Sequence, residues 1–311
     1  MKKLLFVVTT VALSLQLSAQ SINLKLSPEK NKVYRFKSVS NQNVSQTING
    51  MEQTTTTLSN SVFSLKMMEA SSNLIVAEVR FDTIQTTTNT MGKTSKINSA
   101  SEGNIASEEA GEVMSAIMNK LSKSALYVKM NPRGEVVEII NAAMIKDLIL
   151  KDTGSISSKL APVLKPQIKN TVSADALKTM VNMYTFNLPG GQVKVRDQWE
   201  INVPVSAGGM FLQIITNYNL ESVNNNLAQI SAESSVKAAP NAAPLEYPGA
   251  KITYDGIKGF GKSTLKINAQ TGLTVENSSK STISGDLNVN ASGMSMQIPM
   301  NITSETTITA L

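Results

Sequence analysis

Residues 256–276 read GIKGFGKSTLKINAQTGLTVE, and two incompatible folds compete for them. The first eight satisfy the pattern of a phosphate-binding loop: G, any four residues, G, K, S. Such a loop works only where a glycine-rich turn leads from a buried parallel strand into a helix whose first amides face the phosphates. Beyond Lys262 the chain alternates instead. Leu265 and Ile267 fall on one side, Thr264 and Lys266 on the other, and Gly272 stands where a tight turn would reverse the chain. Only 46 residues follow Leu265, too few for the remaining crossover units of a nucleotide-binding sheet. The stretch is therefore expected to be a strand entering a hairpin. Gly256, Gly261, Lys262 and Ser263 are a decoy, with no phosphate, nucleotide or other cofactor bound there, and the glycines ease a bend or a close backbone approach.

An echo of this hairpin lies upstream. LYVKMNPRGEVVEI from Leu126 and TLKINAQTGLTVEN from Thr264 match Lys129 with Lys266, Asn131 with Asn268, Gly134 with Gly272 and Glu138 with Glu276, with one residue inserted in the second turn. FSLKMMEASSNLIVAEV and YNLESVNNNLAQISAES echo each other as strand, polar turn and returning strand. Hairpins resemble one another by chance as well, so a duplicated sheet unit and coincidence both remain open.

Alternation of apolar and polar residues recurs in VYRFKSVS, SVFSLKM, LIVAEVRFD, QIITNYNLESV and LAQISAESSV, the period of strands with one wet face. Helical spacing enters only in the middle. Across 107–123, Val113, Met114, Ile117, Met118 and Leu121 form one stripe, with Glu108 and Glu109 in the first turn and Lys120 and Lys123 in the last, charges that complement the helix dipole. A second helix is expected from Ser173 as N-cap, with Leu177, Met180, Val181 and Tyr184 on its apolar face, and a short one from Asn141 to Leu150. Pro162 and Pro166 are expected to interrupt the pattern between them, and PGG at 189–191 to end the helical region.

The first 19 residues pair Lys2 and Lys3 with a 12-residue apolar run and end in Ser18 and Ala19, the form of a secretory signal peptide. That run is too short to span a bilayer, which takes about 20 residues. The expectation is an exported protein of the periplasm or outer surface, without a transmembrane span. With no cysteine among 311 residues it carries no disulfide and no lipid at the cleavage site. The formal net charge is +6, with lysines and arginines scattered among acidic and hydroxyl residues, which argues against a nucleic-acid partner.

The chain has no histidine either, which removes imidazole and thiolate nucleophile systems and the metal sites built on them. Glu78 and Asp82 share a strand face, yet four residues of strand hold them about 13 Å apart, beyond a glycosidase pair at roughly 5 to 9.5 Å. No catalytic residue is expected, and a carboxylate-only hydrolase is the remote alternative. Fifteen methionines stand against seven phenylalanines, six tyrosines and one tryptophan. Met294, Met296 and Met300 alternate with Ile298 and Ile302 as an apolar strand face more readily than as a thioether metal site. On the helices, Met114, Met118, Met180 and Met183, with Ile117, either fill core gaps or line a surface for an apolar ligand. Trp199 fits a core plug at a strand start.

The signal ending in SAQ, INLKL followed by VYRFK, MNPRGEVVEI, LPGGQVKVRDQWEI and GKSTLKINAQTGLTVE together resemble a family of unknown function among secreted proteins of Bacteroidota. The resemblance spans nearly the whole chain after residue 19 and implies no activity. Its middle motif usually runs Pro, then Val-Lys-Val-Gly-Asp, any residue, Trp, and this chain has Arg196 where glycine is usual. For such a host, Asp82, Thr83 and Ile84 resemble an O-glycosylation triplet, with Thr83 as the acceptor.

The expected fold is α+β and mostly antiparallel: two related curved, half-barrel-like sheets, residues 20–190 with the helices inserted after the first and residues 191–311, packed as one body. The layout is similar to the helix-closed half-barrel of bacterial lipoprotein carriers. The expected function is non-enzymatic binding of a lipid or other apolar or amphipathic ligand between sheet and helices. The alternative is an interaction module that docks an envelope protein or glycan without an internal cavity.

Overall fold

The computed structural model describes residues 21–207, 210–240, 242–247, 249–254, 256–291 and 293–311, so the signal peptide expected at 1–19 lies outside the described residues. The strands are β1 (Ile22–Leu24), β2 (Val33–Ile48), β3 (Met51–Ala70), β4 (Ile75–Thr90), β5 (Lys93–Asn98), β6 (Leu126–Met130), β7 (Val136–Ile139), β8 (Gly191–Val193), β9 (Gln198–Ala207), β10 (Met210–Asn224), β11 (Leu227–Ala238), β12 (Leu245–Tyr247), β13 (Ala250–Thr253), β14 (Lys258–Asn268), β15 (Thr274–Ala291) and β16 (Met294–Ala310). The helices are α1 (Ala110–Ser122), α2 (Ala142–Leu150), α3 (Ala161–Thr171) and α4 (Ala174–Thr185).

The described strands build a 14-stranded sheet in the order β7-β6-β4-β3-β2-β16-β15-β14-β11-β10-β9, with β5 beside β4 and the β12–β13 pair beside β15, while β1 and β8 form a separate ribbon. The pairings between these strands are antiparallel, and the helices follow the first strands, so the fold is α+β of the expected kind. The two related sheets prove to be halves of one. Residues 36–46 of β2 pair with 300–310 of β16, and each strand thereby covers what would otherwise be the other's open edge.

Strand formation at 258–268 settles the competition over the opening stretch. β14 is hydrogen-bonded to β11 on one side and β15 on the other, with Lys262 opposite Glu233 and Lys280. No helix begins at Ser263, and the turn at Gly272 returns the chain as β15.

The echo is a structural repeat. Asn131 Oδ1 accepts from the Arg133 and Glu135 amides at 3.0 and 3.1 Å, and Asn268 Oδ1 accepts from the Gln270 and Thr271 amides at 3.0 and 3.1 Å. Gly134 and Gly272 take positive φ, +83° and +68°. Lys129 pairs with Glu138 at 2.6 Å and Lys266 with Glu276 at 2.7 Å. The ladder slips by one residue immediately after Lys129 in one hairpin and immediately after Lys266 in the other, so even the bulge is duplicated.

Both turns lie under the segment that follows β1: the Leu26 amide donates to Pro132 O and the Ser27 amide to Thr271 O, each at 2.8 Å. The sheet must therefore curl. Laid flat, its eleven-strand path would separate β7 from β9 by roughly 48 Å at about 4.8 Å per strand. Yet Arg133, in the β6–β7 turn, donates from Nη2 to Glu200 O on β9 at 2.9 Å. At this end the two edges nearly meet.

Helix α4 plugs the near-closure. Ser173 Oγ caps it by accepting from the Ala176 amide at 3.2 Å. Tyr184 stacks on Phe63 at 4.3 Å between ring centroids, and its hydroxyl lies 2.8 Å from Ser61 Oγ. The Val136 amide donates to Asn182 Oδ1 at 2.8 Å, and Thr185 Oγ1 donates to Gly134 O at 2.7 Å, tying the helix end to the first repeat turn.

α1 buries the whole expected stripe: Val113, Met114, Ile117, Met118 and Leu121. Pro162 and Pro166 do not interrupt the helical region, contrary to expectation; both lie in α3. Pro162 occupies the first turn, where its missing N–H has no partner to lose. Pro166 forfeits one bond, a cost of about 3 kcal/mol, which burial of Leu164 and Ile168 on the same helix offsets.

Candidate functional site

The helix-facing side of the sheet carries two apolar clusters. The larger includes Phe36, Phe63, Phe81, Leu265 and Ile267 with the buried faces of the helices. The smaller is built on Leu212, Val236, Tyr254, Ile257 and Met300, with Val44, Ile214, Ile283 and Ile302 partly buried against it. Between them the same face bears hydroxyls, paired across strands as Ser40 with Thr306 at 2.9 Å and Thr216 with Ser234 at 2.8 Å.

Where α4 meets the second half of the sheet there is a cleft of about 170 Å³. Its helix side is formed by Thr179, Asn182 and Met183 together with Phe186 and Asn187 just beyond the helix. Its sheet side is formed by Val203 and Val205 of β9, Ile214, Thr216 and Tyr218 of β10, and Ser234, Ser263, Leu265 and Asn277 of the next three strands. Ile214 belongs to both the cleft and the smaller apolar cluster, so the cleft points along the face toward it.

Two aromatic residues and one amide brace the cleft. Trp199 stacks on Tyr218 at 5.4 Å with the rings 5° from parallel, and its Nε1 donates to Asn187 O at 3.2 Å. Asn187 Nδ2 donates in turn to Thr274 Oγ1 at 3.2 Å. Burial pushes the Tyr218 phenol up to about 12, against an opposing hydrogen bond with Thr216. That phenol is therefore uncharged at any ordinary pH, and among the described residues the cleft lining holds no Lys, Arg, Asp or Glu.

The other side of the second half is different in kind. A groove of about 1020 Å³ runs over the outward residues of β10, β11, β14, β15 and β16. Lys262 pairs with Glu233 at 3.1 Å and Lys280 with Glu305 at 2.7 Å there, among Asn217, Asn219, Ser231, Thr264 and Ser278. Phe260 is exposed in the groove with Lys262 Nζ 5.5 Å from its ring centroid.

Of the residues expected to line a ligand, the structure brings only Met183 to the cleft, where it is 57% exposed. Met114, Ile117 and Met118 are buried in the larger core, and Met180 packs partly buried against it; none of the four borders the cleft or the groove. The α1 stripe belongs to the same core as Phe36, Phe63 and Phe81 of the first half. Nothing in the sequence pattern marks Phe186, Asn187, Val203 or Val205 as cleft residues, apart from the position of Phe186 and Asn187 just past the helix end. Ile298 and Met300 are buried on β16 while Met294 is 73% exposed, as an apolar strand face at a sheet end would have it. Thr83 is half-buried in mid-strand opposite Val62. Glu78 is paired with Arg80 at 2.6 Å and Asp82 with Arg35 at 3.4 Å. No described helix is long and apolar enough to cross a membrane.

The chain belongs to a family of unknown function (DUF6263), which it matches over residues 72–274. Among curated proteins none matches it in sequence. Among solved structures it is similar in fold to one described as lipid-protein interactions in lipovitellin, with a TM-score of 0.51 at 8% identity, covering 91% of this chain and 25% of that one. The chain thus spans about a quarter of the length of that protein. The Pseudomonas aeruginosa proteins OccK2, in complex with glucuronate, and OccK11 align at TM-scores of only 0.21 and 0.19, with 6% and 7% identity, over 93% and 92% of this chain and 98% of each of theirs.

Proposed function

For this member of a family of unknown function we propose a non-enzymatic envelope protein, exported by its N-terminal segment, that binds an apolar or amphipathic ligand between α4 and the helix-facing side of the sheet. One observation carries the reading: the curl of the sheet leaves a cleft beneath α4 whose lining, among the described residues, is uncharged and presents mostly apolar surface, continuous through Ile214 with a second apolar cluster. The lipovitellin likeness supports it as fold analogy, since that structure's description names lipid-protein interactions. The non-enzymatic part is supported by the lack of histidine and cysteine and by Glu78 and Asp82 each having a cationic partner.

Native mass spectrometry of protein purified from the envelope of its own host tests this. The expected result is a co-purifying mass that leaves on denaturation and is absent from a Met183→Lys, Phe186→Asp variant that still folds. A bare mass in the parent protein overturns the reading.

The outer groove favours a second reading, an interaction module. Its ion pairs, amides and single exposed aromatic ring suit a polar partner such as a glycan. Binding abolished by Phe260→Ala and untouched by Met183→Lys would select it.

A further inference from the structure

The two ends of the sheet differ in what their hairpins carry. At one end the β2–β3, β4–β5, β9–β10 and β15–β16 hairpins reverse, and each has a methionine at or next to its turn: Met51, Met91, Met210 and Met294. The short β12–β13 hairpin at that end has none. At the opposite end the hairpins reverse through polar residues such as Ser71, Asn225, Asn226 and Gln270; Met130 ends β6 there but is buried. Met51, Met91 and Met294 are 65%, 71% and 73% exposed, and Phe211 beside Met210 is half exposed. Their turns stand clear of the body: a Cβ at Gly50, Gly92 or Gly293 would meet nothing within 4 Å, unlike one at Gly134 or Gly272 of the packed end.

One of these methionines is held under strain. The β2–β3 and β4–β5 turns share a backbone, with successive φ of +52° and +77° in one and +50° and +79° in the other. The first is Asn49-Gly50, the pair such a turn prefers, and the second is Met91-Gly92. Methionine tolerates the left-handed region less well than asparagine. Strain of this kind persists where a residue serves something other than the fold.

Register gives the spacing. Thr90, Thr55, Val44 and Ile302 stand in one row across β4, β3, β2 and β16. Beyond that row Met91 is one residue on, Met51 four and Met294 eight, the slant that tilted strands give to a level rim. At about 4.8 Å per strand and 3.4 Å per residue, neighbouring methionines are roughly 11 and 17 Å apart. That is too far for one metal ion to bridge, and it leaves no continuous patch of the kind that a protein interface packs. A fluid bilayer closes around separate apolar points. Within two residues of the three turns the only charges are Glu52 and Lys93, so net charge supplies no attraction.

We propose that this rim is a membrane-docking edge, with Met51, Met91, Met294 and Phe211 set into the interfacial layer of an uncharged bilayer. Val44 and Ile302 of the row belong to the smaller apolar cluster, against which Met210 also packs and which shares Ile214 with the cleft. Docking therefore brings that cluster beside the lipid, and it does not require the cleft to hold a ligand.

The chain has no cysteine, so a single one can carry an environment-sensitive nitrobenzoxadiazole label. Met51→Cys and Met294→Cys place it on the rim, and Ser72→Cys, exposed in the β3–β4 turn, places it at the opposite end. With envelope-purified protein, vesicles of phosphatidylcholine alone should shift the two rim labels to shorter wavelength and leave the Ser72→Cys label unchanged, in molar salt as in dilute buffer. Unlabelled protein should float with the same vesicles. Met51→Ser, Met91→Asn and Met294→Ser should each weaken that binding about threefold to tenfold. Met91→Asn should at the same time raise Tm, a pairing that a merely structural methionine would not give. No flotation, rim labels that stay wet on floated protein, binding unchanged in all three variants, or binding that needs added phosphatidylglycerol and is lost in salt overturns the docking edge. So does a rim-label shift that grows with protein concentration in the absence of vesicles, which would make the partner a second copy of the chain. Each of these outcomes leaves the cleft reading to its own test, since a ligand can also reach the cleft from solution.

Discussion

The two repeat hairpins have the same sequence skeleton, the same asparagine-held turn and the same bulge, but they are anchored to different things. Gly134 is pressed against the end of α4: a Cβ there would lie 1.9 Å from Thr185 O. Gly272 is pressed against the segment after β1, where a Cβ would lie 2.2 Å from Lys25 O. One copy therefore holds the helix that roofs the cleft, and the other holds an N-terminal strap. A duplicated local structure has been given two tertiary tasks, and only the contact partner tells them apart.

The largest expected effect breaks this comparison at its anchor points. Gly134→Ala places a methyl group inside a helix terminus that is itself locked by Tyr184 and Asn182. It should cost about 3 to 5 kcal/mol and loosen α4. Gly272→Ala meets the backbone of a strap held by the buried side chains of Leu24 and Leu26, with no helix end to displace, and should cost less, about 2 kcal/mol. Chemical denaturation of both variants measures the difference, and equal losses would mean that the strap is as rigid as the helix end.

Next come the asparagines. Asn131→Ala and Asn268→Ala each strand two turn amides, so each should lose about 1 to 2 kcal/mol, in near-equal amounts. Thermal melts of the two variants side by side decide it. A clear inequality would show that the turns are not energetically equivalent despite matching geometry.

How far the sequence carries the fold is visible in these same residues. Lys129, Asn131, Gly134 and Glu138 matched against Lys266, Asn268, Gly272 and Glu276 because a hairpin's turn chemistry is local, and local chemistry is written in consecutive residues. The stripe on α1 and the Ser173 cap were legible for the same reason. The joining of two sheets into one was not. Residues 300–310 alternate like any strand, and nothing in a period of two names the partner at 36–46. The α3 helix was hidden by a local rule, its prolines, that burial of Leu164 and Ile168 overrode. The site was the least legible part. Met118 and Met183 look alike as letters, but one faces a filled core and the other a cleft.

A smaller effect tests the left-handed position where the chain departs from its own pattern. Both repeat turns put glycine at positive φ, whereas the turn between β8 and β9 puts Arg196 there, at +76°. Its amide donates to Leu220 O at 2.7 Å, and the Lys194 amide donates to Asp197 Oδ2 at 2.8 Å, so the surrounding turn holds the arginine in place. Arg196→Gly relieves the Cβ clash at some cost in chain entropy, and should raise stability by about 0.5 to 1 kcal/mol. A lower Tm in the glycine variant would show that the arginine side chain contributes more than its backbone strain removes.

The smallest effect lies on the surface of the two hairpins, where Lys129–Glu138 and Lys266–Glu276 join their strands at matching sites. All four side chains are more than a third exposed, so solvent screens both pairs. Double-mutant cycles should give coupling energies of about 0.2 to 0.5 kcal/mol for each pair. Both should fade together in molar salt, where the Debye length shrinks to about 3 Å. Coupling that survives high salt in one hairpin only would mean that its pair is drier than its twin, and the repeat would then differ in its cross-strand chemistry as well as in its anchors.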